Sequence, residues 1–394
     1  MFPGLNRCLC TFHRLVRPSS KNCLLVRPSS KNCFHQHGRR LTQVTGAVFL
    51  SAKRGHSWFL TPASGSAREK HYLVPSFVNT RRAYTTASGD KVVINRADIH
   101  EVTQQNAGKI LEKYDSILLD CDGVLWSSDH ISPLLGIPAA IQTLQSLGKQ
   151  VLFVTNNSMH GRRAYVEKFR QNGFDAPAED VFCVAYASAV YLQTIMHVEG
   201  SVYVIGSPGM SEELDIAGIK NFGLGPDPDP VYTDISDLLH VPLRDDVTAV
   251  LVGYDKHFNL NKLFKACSYL SNESCLYLAT NDKEKSVRIA EGRRQPLTGA
   301  IVDAVTSAVK RKPEVLGKPD THLFQCIKAT HPSINPARSL MVGDSLITDI
   351  GLAKAVGMDS ALVLTGVGSL DTVRSLPGLE PTYFMQSLAV ITRN

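Results

Sequence analysis

The stretch "SILLDCDGVLW" occupies residues 116–126. An apolar run, Ile117 to Leu119, ends on Asp120, and a second carboxylate, Asp122, follows one residue later beside Gly123. A buried strand that ends on two like charges costs folding energy unless something compensates them, because burial disfavours the ionised carboxylate. Asp and Gly are also common turn residues, so the stretch alone reads equally well as a capped turn. The rest of the chain has to decide between the two.

From about residue 112, short apolar runs alternate with longer amphipathic ones. Strands are expected at 116–120, 150–155, 201–206, 248–253, 275–280, 339–344 and 360–366, with helical patterns such as 137–148 and 161–173 between them. Near-continuous apolar strands separated by helices indicate a parallel sheet covered on both faces, so the class is α/β. Three strands end in polar groups, at Asp120, at Thr155-Asn156-Asn157 and at Asp344. In open α/β sheets ligands bind beyond the C-terminal strand edges, so three polar ends point to one assembled site.

Asp120 and Asp122, with Asp344 from another strand, would suit a hard cation such as Mg2+, which favours a few carboxylates together with water and a substrate phosphate. Such an ion would also offset the paired charges. Thr155, Asn156 and Asn157 offer donors, and Lys318 in "VLGKPD" offers an ammonium on a turn. A phosphate beside the metal would need such donors on its remaining oxygens. Taken singly, each is an ordinary turn or a solvated lysine.

Together, in sequence order, DxDG, TNN, GKP and GDSLITD resemble the four motifs of the haloacid dehalogenase-like phosphatases. The resemblance implies a Rossmann-like parallel-sheet core with an inserted α/β cap domain. It makes Asp120 the nucleophile that forms an aspartyl-phosphate, and Asp122 the acid–base whose backbone carbonyl also binds Mg2+. By the same resemblance Asp344 is a metal ligand and Asp349 supports the metal site. Thr155 binds the phosphoryl group and Lys318 neutralises charge. Gly123 permits the sharp bend after the strand. The implied division is a core at 112–196 and 309–394 with a cap at 197–308.

A closer likeness is to the phosphoglycolate and p-nitrophenyl phosphate phosphatases. It is carried by "FVTNNS", "AYASAVYL", "YVIGSPGM", "LHVPLRDDVTAVLVGYDKHF", "LYLATN" and "GKPDTHLF". It implies 2-phosphoglycolate as substrate, or glycerol 3-phosphate, with pyridoxal phosphate or a phosphoprotein as alternatives, and a homodimer formed through the cap. Ser345 stands where relatives usually carry arginine, and the segment 281–299 departs from the pattern, which bears on substrate more than on reaction. His257, Trp126, Arg293 and Arg294 read as packing or surface residues, and "GPDPDPVYTD" at 225–234 as a rigid exposed loop without calcium-site spacing.

Charge divides the 394 residues unevenly: 1–88 carry +13 and the remainder −7. The acidic body gives no reason to expect nucleic-acid binding. The basic, acid-poor leader at 1–84 resembles a mitochondrial transit peptide cut after Tyr84 in "RRAYTTAS"; a cytoplasmic chain with a basic tail is the alternative. Residues 85–111 read as a linker. A tandem repeat, "LVRPSSKNCL" at 15–24 and "LVRPSSKNCF" at 25–34, is too short for a solenoid. No apolar run is long enough for a membrane helix. The body cysteines, at 121, 183, 267, 275 and 326, are scattered and imply reduced thiols, with no zinc site. A reading from another class, an inactive binding or scaffold protein, conflicts with a complete set of Asp120, Asp122, Lys318 and Asp344.

Overall fold

The computed structural model describes residues 99–127, 133–230 and 232–392, with short backbone pairs at Gln43–Val44/Ala47–Val48 and Tyr84–Thr85/Lys91–Val92. Apart from those pairs, the expected leader lies outside the described residues; the expected cut after Tyr84 falls within the Tyr84–Thr85 strand. Among the described residues no helix is long and apolar enough to cross a membrane.

Seven parallel strands form the main sheet. Their spatial order is His100–Glu101, Tyr383–Met385, Asp359–Val363, Ser339–Gly343, Ser116–Leu119, Gln150–Thr155 and Val181–Cys183. Ile117, Leu118 and Leu119 are completely buried, as an unbroken apolar run covered on both faces requires. Helix Ile137–Ser146 carries Pro138 in its first turn and buries Ile137, Ala140, Ile141 and Leu144, one stripe of a 3.6-residue period. Helix Arg162–Gln171 buries Tyr165 and Phe169, and Phe169 meets Phe153 and Phe174 at ring separations of 4.5 and 4.9 Å. Truncating Phe169 to alanine would cost roughly 3–5 kcal/mol.

A second sheet is inserted after the strand Val181–Cys183 and the helix that follows it. Its five parallel strands lie in the order Asn221–Phe222, Ser201–Ile205, Val247–Val252, Leu276–Ala279 and Glu314–Val315. Period-two alternation assigns its two faces. Val202, Val204, Leu251 and Leu278 join the main core, while Tyr203, Ile205, Val250 and Val252 pack with residues of helices Leu260–Leu270 and Thr298–Val309.

Several sequence expectations change. The expected linker 85–111 contributes the edge strand His100–Glu101 and the helix Ala107–Leu111. The inserted sheet runs past residue 308, because Glu314–Val315 is its last strand. Short strands at Val181–Cys183, Asn221–Phe222 and Tyr383–Met385 carry too few residues for a periodic signal. Arg293 and Arg294 lie on an exposed hairpin strand paired with Ser286–Ala290. In the "GPDPDP" loop the acids turn inward: Asp227 and Asp229 pair with the buried Lys265 at 2.9 and 2.5 Å.

Candidate active site

The strand Ser116–Leu119 lies between Ser339–Gly343 and Gln150–Thr155. The chain leaves it towards one side of the sheet and returns on the other, which opens a crevice at the strands' C-terminal edges. Asp120, Thr155 and Asp344 stand at those three adjacent edges. Asp120 is anchored by its backbone N–H, which donates to Val342 O at 2.9 Å.

Lys318 comes from farther away. It follows Glu314–Val315 by three residues, so the inserted sheet delivers it, and a cis peptide joins it to Pro319. Its Nζ lies 2.7 Å from Asp120 Oδ1 and 2.7 Å from Asp349 Oδ1, and donates to Val154 O at 2.9 Å. All three side chains are buried, Asp349 completely. Asn156 grips the same residue: its Nδ2 donates to Lys318 O at 2.9 Å, and Lys318 N donates to its Oδ1 at 2.7 Å.

Asp120, Asp344 and Asp349 bring carboxylate oxygens within 4.8 Å of one another. Burial, then the charge of Asp349, pushes the Asp120 carboxyl well above its ordinary value, with Lys318 pulling the other way. Burial and Asp349 likewise raise Asp344, to about 6, although the Val367 N–H, 2.8 Å from Asp344 Oδ2, opposes the rise. Burial alone would lower the Lys318 ammonium, but Asp120 and Asp349 override it and hold it above its ordinary range. Three carboxylates facing one ammonium leave an excess of negative charge on hard oxygen donors. That donor set fits a small divalent cation.

Glycines shape the wall of this cluster. A Cβ built on Gly123, whose φ is +83°, would lie 2.5 Å from Asp344 Oδ2, and one on Gly366 would lie 1.9 Å from it. Thr365 Oγ1 donates to Gly123 O at 2.6 Å, tying the two turns together. The "TGVG" run at 365–368 carries the matching sequence signal: a glycine pair after a buried strand marks close backbone approach.

The sequence-expected residues fall into two groups. Asp120, Asp344, Asp349 and Lys318 converge. The Asp122 carboxylate lies outside the carboxylate trio, and its Oδ1 accepts from Trp126 Nε1 at 2.6 Å. Thr155 is buried at its strand end, and its Oγ1 accepts from Asn157 N at 3.1 Å. Of the two asparagines expected as phosphate donors, Asn156 commits its side-chain amide to the Lys318 backbone. Asn157 Oδ1 accepts from Met159 N at 2.9 Å in a local turn. Ser345 accepts from Thr348 N at 3.3 Å, and its own N–H donates to Asp349 Oδ2 at 3.0 Å. At this position the backbone, not a charged side chain, steadies Asp349.

A parallel sheet that ends in a carboxylate cluster with a buried lysine fits phosphoryl-transfer chemistry. Comparison with known proteins agrees. Residues 117–220 match the family described as haloacid dehalogenase-like hydrolase, and residues 315–391 match a related HAD-hydrolase-like family. The chain is 40% identical over 301 residues to glycerol-3-phosphate phosphatase of Rattus norvegicus, covering 74% of this chain and 90% of that one. It is 38% identical over 290 residues to chronophin of the same species, covering 71% and 87%. Among solved structures, p-nitrophenyl phosphatase from Archaeoglobus fulgidus superposes with a TM-score of 0.60 at 26% identity, covering 71% of this chain and 98% of that one. The chain belongs to the haloacid dehalogenase-like hydrolase family, and it is a phosphoric monoester hydrolase.

Proposed function

We propose that this protein hydrolyses the phosphate ester of a small alcohol, glycerol 3-phosphate or 2-phosphoglycolate, through an aspartyl-phosphate on Asp120, with Mg2+ as cofactor. The carrying observation is Lys318 set between Asp120 and Asp349. A buried carboxylate is a nucleophile only while ionised, and an ammonium at 2.7 Å favours that form. Asp120 and Asp344, with the backbone carbonyl of Asp122, would hold Mg2+, which when bound neutralises charge on the phosphoryl oxygens. Asp349 holds Lys318, and Thr155 stands at the edge where a phosphoryl oxygen would sit. Asp122 gives its proton to the leaving oxygen and takes one from the water that hydrolyses the intermediate.

Glu284 bears on the choice of substrate. Thr280 O crowds Gly317, where a built Cβ would meet it at 2.3 Å, so the segment bearing Glu284 runs beside the site. The Glu284 side chain is open to solvent, yet desolvation raises its carboxyl, and it feels both Lys318 and Asp349. When ionised, Glu284 discourages a substrate that carries a carboxylate besides its phosphate. This favours glycerol 3-phosphate over the 2-phosphoglycolate expected from sequence, in line with the name of the rat relative. The basic leader and the cap extend the reading to a mitochondrial homodimer, on sequence grounds alone.

The test is phosphate release by the full chain with Mg2+ on glycerol 3-phosphate, 2-phosphoglycolate, pyridoxal phosphate and p-nitrophenyl phosphate. Turnover should be highest on glycerol 3-phosphate and should vanish in Asp120→Asn while the circular dichroism spectrum is retained. Normal turnover in that variant would refute the mechanism, and a preference for pyridoxal phosphate would move the substrate class.

A further inference from the structure

We propose that Trp126 is a positioning residue for phosphoryl transfer, its indole N–H fixing the orientation of the Asp122 carboxyl. The inference rests on the acid–base role given to Asp122 above. Trp126 is fully buried, and its Nε1 donates to Asp122 Oδ1 at 2.6 Å. Indole nitrogen is a donor only. Oδ1 is therefore held as the acceptor, and the hydrogen bond sets the plane in which Oδ2 is presented.

The surroundings hold the indole in register. Its ring stacks on Tyr165 at 6.4 Å and 19° and meets Phe169 at 6.0 Å. Trp126 O accepts from Gly123 N at 2.8 Å, closing the turn that carries both aspartates. Lys168 Nζ lies 3.3 Å from the ring centroid. A cation over the π face draws electron density from the ring and strengthens its N–H as a donor. Packing alone would be met by any large apolar side chain. A donor aimed at the acid–base carboxyl and backed by a cation serves the reaction.

In the first step an Asp120 oxygen forms a bond to phosphorus while the ester P–O bond breaks. The bonding pair stays on the leaving oxygen, which takes the proton from the Asp122 carboxyl. In the second step Asp122, now ionised, accepts a proton from water as the water oxygen attacks phosphorus. The Asp120–phosphorus bond breaks, restoring Asp120 and protonated Asp122. A badly held Asp122 should therefore hurt an ester whose leaving group is a basic alkoxide far more than one that releases a stabilised phenolate.

The experiment compares kcat/KM on glycerol 3-phosphate and on p-nitrophenyl phosphate, using the full chain with Mg2+. This parameter reports the steps up to transfer onto Asp120. Trp126→Phe keeps an aromatic ring and removes the donor. The ratio of glycerol 3-phosphate to p-nitrophenyl phosphate activity should fall by roughly 10-fold or more. Lys168→Met leaves the indole in place and should move the ratio the same way by a smaller factor; if Trp126→Phe does not fold, this variant decides. Equal losses on both esters, or an unmoved ratio, overturn the inference while the functional reading stands. Wild-type inactivity on both esters overturns the functional reading and this inference with it.

Discussion

Lys318 Nζ donates to Asp120 Oδ1 at 2.7 Å across 198 residues of sequence, joining the first strand of the motif to the end of the inserted sheet. The contact couples catalysis to folding, since each charge is buried and each is the other's compensation. Lys318→Met removes the ammonium and leaves Asp120, Asp344 and Asp349 facing one another. Breaking a buried pair from one side costs roughly 3–5 kcal/mol, so the melting temperature of the metal-free protein should fall clearly. Turnover should drop at least ~100-fold, the scale of losing one preorganised electrostatic group. An unchanged melting curve would show that the pair is not what holds this edge together.

Gly366 is predicted to be a determinant of metal binding although it ligates nothing. A Cβ there would lie 1.9 Å from Asp344 Oδ2 and would displace that carboxylate. Gly366→Ala should weaken Mg2+ binding by roughly 10–100-fold, the range for residues that orient a ligand. Calorimetric titration with Mg2+ measures this directly. Gly108→Ala, where nothing lies within 4 Å of the built Cβ, is the control and should leave the affinity unchanged.

The pH dependence follows from Asp344. Its carboxyl is raised to about 6 in the folded, metal-free protein, against an ordinary value of 3.8. A folded pKa above the unfolded one means that the folded state binds more protons between those values. The stability from this group is therefore fully present below about 3.8 and is lost as pH rises through about 6. The metal needs the ionised form, so Mg2+ affinity should rise with pH through the same window. Melting temperatures measured from pH 4.5 to 7.5 with and without Mg2+ should show the stabilisation by Mg2+ growing towards neutral pH. A stabilisation independent of pH would contradict the assignment of Asp344.

The class of fold was legible because its strands are buried on both faces and their apolar runs are unbroken, as in Ile117–Leu119 and Val151–Val154. The polar strand ends were legible too, since Asp120, Thr155 and Asp344 interrupt those runs where a buried sheet meets solvent. What escaped were elements too short to show a period, such as His100–Glu101 and Glu314–Val315, which take their strand form from neighbours already in place. The inward turn of Asp227 and Asp229 also escaped, because alternating Asp and Pro look solvent-exposed until Lys265 is brought beneath them.

The sequence by itself determined the family, and with it phosphate-ester hydrolysis: Asp120, Asp122, Lys318 and Asp344 stand in motifs whose order needs no coordinates. Tertiary structure decided how those residues divide the work. It placed Asp349 in the carboxylate cluster, turned Asn156 onto Lys318, set Gly366 against Asp344 and aimed Trp126 at Asp122. Most of these relationships join residues far apart in the chain, through a hydrogen bond or through space just wide enough for a hydrogen atom. Even Trp126 and Asp122, four positions apart, meet only because the turn closes between them. Directions and clearances of that kind exist only after the sheets have closed on one another, so no residue pattern along the chain encodes them in readable form.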